Sequence, residues 1–263
     1  MTTNIINQGK HHWNLLLLAI SFFSRLPVAQ YTQYSDANMH SATRYFSVVG
    51  WLIAVTLLFI YTILATFLPT EITILVLIIA NLLLTGALHE DGLADTADAF
   101  GGGFDKTAKL SIMKDSRLGT YGVCALIGAY LSKFLLLVAF AQTEQLATAL
   151  FIAYPLSRAL AFSHVQHLPY ASLSESSKSS PLAKPLSIQA LWTLFGVGAV
   201  ALLFLHPLPL LCVLCGCLLS RKLLQRWMLK HIQGFTGDTL GAAQQIQEML
   251  IYTILLANIQ YLN

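Results

Sequence analysis

The chain has 263 residues, of which 56% are hydrophobic and only 10% charged, with a formal net charge of +3. Soluble globular chains carry about 25% charged residues, so this composition excludes ordinary soluble domains. It indicates a single membrane-embedded domain spanning residues 1–263. No basic run interleaved with aromatics is present, which argues against nucleic-acid binding.

Residues 13–23 form an apolar run behind Lys10, followed by Pro27-Val28-Ala29, which loosely imitates a signal peptide. Arg25 interrupts the expected cleavage region. Eleven residues are also too few to span a bilayer, so the run predicts a short re-entrant or interfacial N-terminal helix. Apolar stretches then cover residues 45–67, 72–88, 120–141, 146–164, 188–205, 208–224 and 247–262. They predict an all-α, polytopic integral membrane protein with about 6–7 transmembrane helices. The stretch 208–224 is short, opens at His206-Pro207-Leu208-Pro209, and is expected to continue past Arg221 as an amphipathic helix. The last stretch, which holds Asn258, is the weakest span. Cys212, Cys215 and Cys217 lie inside an apolar run without a His or acidic partner nearby. Packing against a neighbouring helix explains them better than a metal or redox role.

The connections alternate in charge. Residues 68–71, 141–145 and 206–209 contain no Lys or Arg, whereas segments 25–44, 89–119, 165–187 and 221–246 hold twelve of the chain's fifteen. The positive-inside rule places those four segments in the cytoplasm. The serine-rich loop 166–186, with Pro169, Pro181 and Pro185, is expected to be irregular and is a candidate lid. No internal repeat is visible, which weakens a secondary-transporter reading.

Three of the cytoplasmic segments are chemically loaded. Residues 89–103, HEDGLADTADAFGGG, hold four of the chain's twelve acidic residues. At about 100° per residue, Asp91, Asp95 and Asp98 fall within roughly 60° of one another on a helix. Three carboxylates on one face repel each other unless a cation sits between them, and an oxygen-only site suits Mg²⁺ carrying phosphate. The plainer alternative is a solvated helix end. Residues 112–122, IMKDSRLGTYG, place Lys114, Asp115, Ser116 and Arg117 at the entry to the next span. Asp115 and Ser116 fit an N-cap there, and a helix N-terminus also attracts phosphate. Residues 234–241, GFTGDTLG, resemble a backbone cradle with one added carboxylate, although a plain turn explains a lone glycine-rich loop equally well.

Lys133 and Arg158 fall well inside expected spans, where a charge costs at least about 2.5–3.5 kcal/mol and needs a partner. No Asp or Glu shares their spans. A ligand phosphate or the acids at the membrane face are the available partners, and snorkelling is the alternative. His89 and His164 lie where they would reach the site, though a lone His is more often structural. No Ser/His/Asp triad or HExxH appears. Carboxylates for a cation, basic groups for phosphate oxygens and glycines for backbone approach form a kit for phosphoryl-type transfer.

The strings His89-Glu90-Asp91-Gly92-Leu93-Ala94-Asp95-Thr96-Ala97-Asp98, Ile112-Met113-Lys114-Asp115-Ser116-Arg117-Leu118-Gly119-Thr120 and Thr236-Gly237-Asp238-Thr239-Leu240-Gly241-Ala242 occur in this order, after Phe23-Ser24-Arg25-Leu26-Pro27. Together they resemble the cobalamin synthase family, the adenosylcobinamide-GDP ribazoletransferases, over nearly the whole length. The resemblance implies a Mg²⁺-dependent, multi-pass enzyme of the bacterial inner membrane with its active site facing the cytoplasm. It would join adenosylcobinamide-GDP to α-ribazole or α-ribazole 5′-phosphate, the last assembly step of the cobalamin nucleotide loop. The ribose hydroxyl would attack the phosphorus nearer the cobinamide, giving adenosylcobalamin or its 5′-phosphate and releasing GMP.

On that view Asp91, Asp95 and Asp98 would hold the metal. Arg25, Lys114, Arg117, Lys133, Arg158 and the backbone at Gly237 would meet the phosphates, and Asp115 or Asp238 would take the hydroxyl proton. The CDP-alcohol phosphotransferases do related chemistry with a D-x-x-D-G-x-x-A-R pattern. Here Leu88 stands where that pattern has its first aspartate, and no Arg follows, so the correspondence is one of fold-level analogy. The alternatives are another nucleotide-activated alcohol transferase of that kind or, from a different class, a cation transporter. A transporter should place its carboxylates near the bilayer midplane rather than at an edge beside Lys and Arg. Oligomeric state is left open.

Overall fold

The structure, a computed structural model, describes residues 2–171 and 182–262, with side chains from residue 8 onward. Part of the expected lid loop, residues 172–181 with Lys178, lies outside the described residues. Among those described, eleven α-helices and short 3₁₀ turns make up the fold. The one strand-like contact is an isolated parallel bridge between Tyr170 and Phe235. The expectation of an all-α membrane protein holds.

Four helical segments are long and apolar enough to cross a membrane: Asp36–Leu64, Thr120–Gln142, Leu146–Gln166 and Pro207–Ile232. The first combines α2 (Asp36–Ala42) with α3 (Phe46–Leu64). The second is α7 (Thr120–Gln142), the third contains α8 (Leu146–Phe162), and the fourth is α10 (Pro207–Ile232). A fifth is added only if the bent pair α4 (Thr70–Thr85) and α5 (Leu88–Gly102) is counted as one span.

That count is lower than the six or seven expected, for local reasons. Gly86 adopts a left-handed conformation (φ 65°) and stops α4 at 16 residues, about 24 Å of helix against a hydrocarbon core of about 30 Å. The stretch 188–205 divides into α9 (Ile188–Ala199) and a 3₁₀ segment, Val200–Phe204. The stretch 247–262 takes in the later part of α11 (Gly237–Ala257) and the 3₁₀ turn Ile259–Tyr261, and α11 carries Gln244, Gln245, Gln247 and Glu248, all buried inside the protein. The N-terminal helix, α1 (Thr2–Phe23), is longer than its apolar run. The stretch opening at Pro207 does continue past Arg221, with proline in the first turn where its missing N–H costs nothing.

Burial sorts the helices. In α8, 83% of the apolar window is buried within the protein, against 17% in α7 and 22% in α10. In a bilayer, helices that leave apolar surface uncovered by protein face lipid, so α7 and α10 lie outside and α8 at the centre. The central helix is approached closely at Gly50 of α3, where an added Cβ would lie 2.7 Å from Cα of Pro155. Small residues at such crossings let backbones touch where hydrophobic driving force between helices is weak. Cys217 is buried against this core, while Cys124 and Cys215 face outward, and all four cysteines are free.

The feature that positions the chemistry is the corner between α4 and α5. Gly86 and Ala87 are both left-handed (φ 65° and 56°), and the two helix axes meet at 89°. Glycine enters that region freely and alanine only at some cost. The helix α5 therefore runs at a right angle to its apolar predecessor and is not one of the four long apolar segments.

Candidate functional site

The helix α5 distributes its acids by depth. Asp91 is exposed, Asp95 half-buried, and Glu90 and Asp98 buried. It packs against the start of α11 through two glycines. A Cβ on Gly92 would lie 2.7 Å from the Asp238 carbonyl oxygen, and one on Gly241 would lie 3.2 Å from that of His89. This close approach carries Asp238, in the first turn of α11, onto the Asp91–Asp95 face. The start of α11 is fixed by a capping box. The Thr239 N–H donates to the Thr236 hydroxyl (3.2 Å) and the Thr236 N–H to the Thr239 hydroxyl (2.9 Å). The string 234–241 is thus a helix start built for close packing rather than an open anion cradle, with Gly237 as its first helical residue.

Electrostatics follow from this crowding. Burial pushes the Asp95 carboxyl up to about 7, reinforced by the carboxylates of Asp238, Asp91 and Asp98. Burial, then Asp91, pushes Asp238 up to about 6, opposed by hydrogen bonds from its own backbone and from Thr236. Groups held apart from their ordinary protonation by each other's charge mark candidate functional sites.

Asp98 has a different job. Its two oxygens accept from the backbone N–H groups of Gly119 (2.7 Å) and Gly122 (2.8 Å), so a carboxylate from α5 caps the N-terminus of α7. The expectation that Asp115 or Ser116 would cap this helix is corrected. The N-cap residue is Gly119, without a side chain to offer, and Asp98 supplies the cap from another helix. Among the described residues, no three His, Cys, Asp or Glu side chains converge as a ready-made metal site. The set Asp91, Asp95 and Asp98 is therefore not a preformed cage, because Asp98 is turned toward α7. The remaining oxygens on Asp91, Asp95 and Asp238 suit Mg²⁺, which takes one or two carboxylates and completes its shell with water and substrate phosphate.

The cationic expectations divide. Asp115 and Arg117 are bound to each other, with Arg117 Nε 2.9 Å from Asp115 Oδ2. The guanidinium holds the Asp115 carboxyl below the usual range. Lys114 is exposed on the same loop, whose start meets α11 where the Thr236 hydroxyl contacts Met113 Sδ at 3.6 Å. Arg25 stands at the α4–α5 corner, its N–H bonded to the Leu84 carbonyl (2.7 Å) and its guanidinium against Gly86. All four recognised strings thus meet around α5.

Lys133 and Arg158 belong elsewhere. Both are about fully buried (2% and 1% exposed) and are answered by protein carboxylates. Lys133 Nζ lies 2.9 Å from Glu248 and 4.0 Å from Glu90, and Arg158 lies 3.9 Å from Glu248. Gln244 donates to Glu248 (2.6 Å) and Gln245 to Glu90 (3.2 Å). The quartet holds two positive and two negative charges. Of the two kinds of partner expected for these cations, a ligand phosphate or protein acids, the structure shows protein acids. Glu248 was not among the expected partners, because it lies in a different helix, far along the chain from both cations. The signal was present as Gln244, Gln245, Gln247 and Glu248 entering an apolar stretch, since polar groups there seek one another.

Beside the carboxylates lies a cavity of about 110 Å³, reached between the ends of α1, α3 and α8 and the start of α11. Phe23, Phe46 and Phe162 form its wall, Leu240 packs at its side, and Asp91 and Asp238 stand on its border. His89 also lines it, stacked on Phe46 at 5.8 Å between centroids. Of this wall only Phe23 belongs to a recognised string, and its gathering with Phe46 and Phe162 was not anticipated.

Comparison with known proteins was informative at the level of sequence. The family described as cobalamin-5-phosphate synthase matches residues 15–256. The chain is 52% identical over 247 residues to the adenosylcobinamide-GDP ribazoletransferase of Pseudoalteromonas atlantica, covering 94% of this chain and 92% of that protein. It is 43% identical over 252 residues to the enzyme of that name from Vibrio cholerae (96% and 97% covered). The one from Shewanella piezotolerans is 43% identical over 245 residues (92% and 95% covered). No solved structure matches the chain.

Proposed function

Because the chain belongs to the cobalamin-5-phosphate synthase family and is a transferase of cobalamin biosynthesis, we propose that it moves the adenosylcobinamide-phosphate group of adenosylcobinamide-GDP onto α-ribazole or α-ribazole 5′-phosphate. A ribose oxygen of the acceptor forms the new bond to the phosphorus nearer the cobinamide. The anhydride bond to GMP breaks, and GMP leaves with that bond's electron pair.

The observation that carries this reading is the convergence of Asp91, Asp95 and Asp238 where α5 crosses α11, with Asp95 and Asp238 pushed up by burial and by the neighbouring carboxylates. Asp91 and Asp95 would hold Mg²⁺, which when bound neutralises pyrophosphate oxygens. Asp238 accepts the hydroxyl proton, since a base is most effective when its pKa lies near the working pH. Its value of about 6 favours it over Asp115, whose basicity is lowered by Arg117. Arg25 and Lys114 meet the phosphate oxygens at the edge of the cluster. Asp98 holds α7 against α5 and leaves the metal to its neighbours.

The charge asymmetry of the loops supports placement of this face on the cytoplasmic side of a bacterial inner membrane. The direct test is GMP release by purified protein in detergent or liposomes given both substrates and Mg²⁺. Release by the wild type and its loss in Asp91→Ala are expected; a wild type that releases none overturns the function. Single cysteines in a cysteine-free background test orientation. Position 105 should label only from the cytoplasm and position 143 only from outside, and the reverse pattern would overturn the placement.

A further inference from the structure

We propose that the aromatic cavity beside Asp91 and Asp238 is the seat of the acceptor's base, with Leu240 as a residue that sets which base is accepted. The proposal rests on the function above and specifies which part of the two substrates this chain holds there.

The cavity offers a wall of rings. Phe23 stacks on Phe46 at 3.8 Å between centroids, and Phe162 meets Phe46 edge-on at 6.3 Å. Mutual stacking fixes these rings, so they form a prepared surface for a flat aromatic group rather than a soft patch. The polar groups on the border are Asp91, Asp238 and His89, all at the α5–α11 side. At about 110 Å³ the cavity exceeds what a single ion or water needs by several-fold.

Four ring systems enter this reaction, the corrin, the adenine of the adenosyl group, the guanine and the acceptor's base, and the lining separates them. The corrin macrocycle is far larger than the cavity. The guanine of the donor and the adenine of its adenosyl group carry hydrogen-bonding groups around their edges, whereas among the described lining residues the polar side chains, Asp91, Asp238 and His89, stand on one side only and leave most of either edge unmet. Burying such groups unpaired is costly. The base of ribazole is a dimethylated benzimidazole, whose two ring nitrogens include one already committed to the sugar. It therefore presents mainly apolar edge and ring face, and its burial against Phe46, Phe162 and Leu240 leaves almost nothing unpaired. Seated there, its ribose projects toward the border where Asp238 stands, as transfer to a ribose hydroxyl requires.

Leu240 lies one turn into α11, close after Asp238, and lines the cavity with an apolar side chain, so its size sets the space there. The experiment compares Leu240→Phe and Leu240→Ala with the wild type, using α-ribazole and the corresponding ribonucleoside of unmethylated benzimidazole. Filling the cavity with Phe should raise KM for α-ribazole roughly 10-fold and KM for the unmethylated nucleoside much less, since one or two methyl groups decide the fit. The Ala variant should shift the ratio the other way, and KM for adenosylcobinamide-GDP should change less than about twofold in both.

A merely structural role for Leu240 would alter both nucleosides alike, and an unchanged ratio overturns the proposal. So does an effect falling on the donor, which would assign the cavity to guanine or corrinoid while GMP release still upheld the proposed function. Titration of α-ribazole alone onto detergent-solubilised protein supplies a readout independent of turnover. Binding that is lost in Leu240→Phe supports the seat even if the wild type releases no GMP, and binding indifferent to both substitutions sinks it. If the Phe variant does not fold, the Ala ratio decides.

Discussion

Glu90 and Asp91 are consecutive in the chain and meet opposite fates. Glu90 is buried in a quartet where Lys133, Arg158 and Glu248 balance its charge. Asp91 is exposed at the head of a cluster with Asp95 and Asp238, in which carboxylates face carboxylates. One helix thus separates, by about 100° of rotation, an acid paired with buried cations from acids that crowd one another. The difference is one of role. A balanced buried quartet fixes helices relative to one another, whereas an unbalanced cluster at an accessible edge is completed from outside. Counting acids cannot tell these apart; finding their partners can.

The contrast is broken most severely at Glu248. Replacing it by Ala leaves Lys133 and Arg158 sharing Glu90 alone inside the protein. Removing one partner of a buried pair costs about 3–5 kcal/mol, so little folded protein should survive detergent extraction. A Glu248→Ala variant as heat-resistant as wild type would refute the structural role of the quartet.

Asp91→Ala should do the reverse. GMP release is expected to fall on the order of 100-fold, the scale of losing one preorganised electrostatic group, while the unfolding temperature holds or rises because repulsion is relieved. Equal losses of activity and stability would erase the distinction between the two groups. Asp98→Ala is smaller. It removes the cap of α7 and should cost about 1 kcal/mol, read as a lowered unfolding temperature. Asp98→Asn, which keeps an acceptor oxygen, should retain most activity; a loss as deep as that of Asp91→Ala would return Asp98 to the metal.

The mildest test is titration. Asp95 has its folded pKa raised to about 7, above the ordinary carboxyl value of 3.8. Between those values the folded state holds the extra proton, so Asp95's own contribution to stability is most favourable below about pH 4 and declines as pH rises toward 7. Without divalent cation the unfolding temperature should fall across that window. Asp95→Asn should flatten the decline, and Mg²⁺ should oppose it by binding the ionised form. A profile indifferent to both would contradict the crowding of the cluster.

Much of this was legible in the residues because it depends on local pattern. Apolar runs marked the membrane class, and helical periodicity placed Asp91, Asp95 and Asp98 on one face. What escaped depends on a second helix. Lys133 and Arg158 were visibly in need of partners, but Glu248 lies about a hundred residues further along the chain. Asp98 belonged to the right face, yet its engagement with Gly119 and Gly122 exists only once α7 is docked. The glycines of residues 234–241 read equally as an anion cradle or as room for a crossing helix, and Gly92 on the other side of that crossing decides for the second. The span count erred because hydropathy does not register a left-handed corner at Gly86 and Ala87.

That corner has a further consequence. It consists of two residues with no slack, so the phase of α5 is set by where α4 stops. One residue inserted there would turn α5 by about 100°, carrying Glu90 off its cations and presenting another side chain in its place. Loops elsewhere absorb changes in length; this joint acts as an index mark, and a shift of a single position would exchange the neutralised acids for the reactive ones.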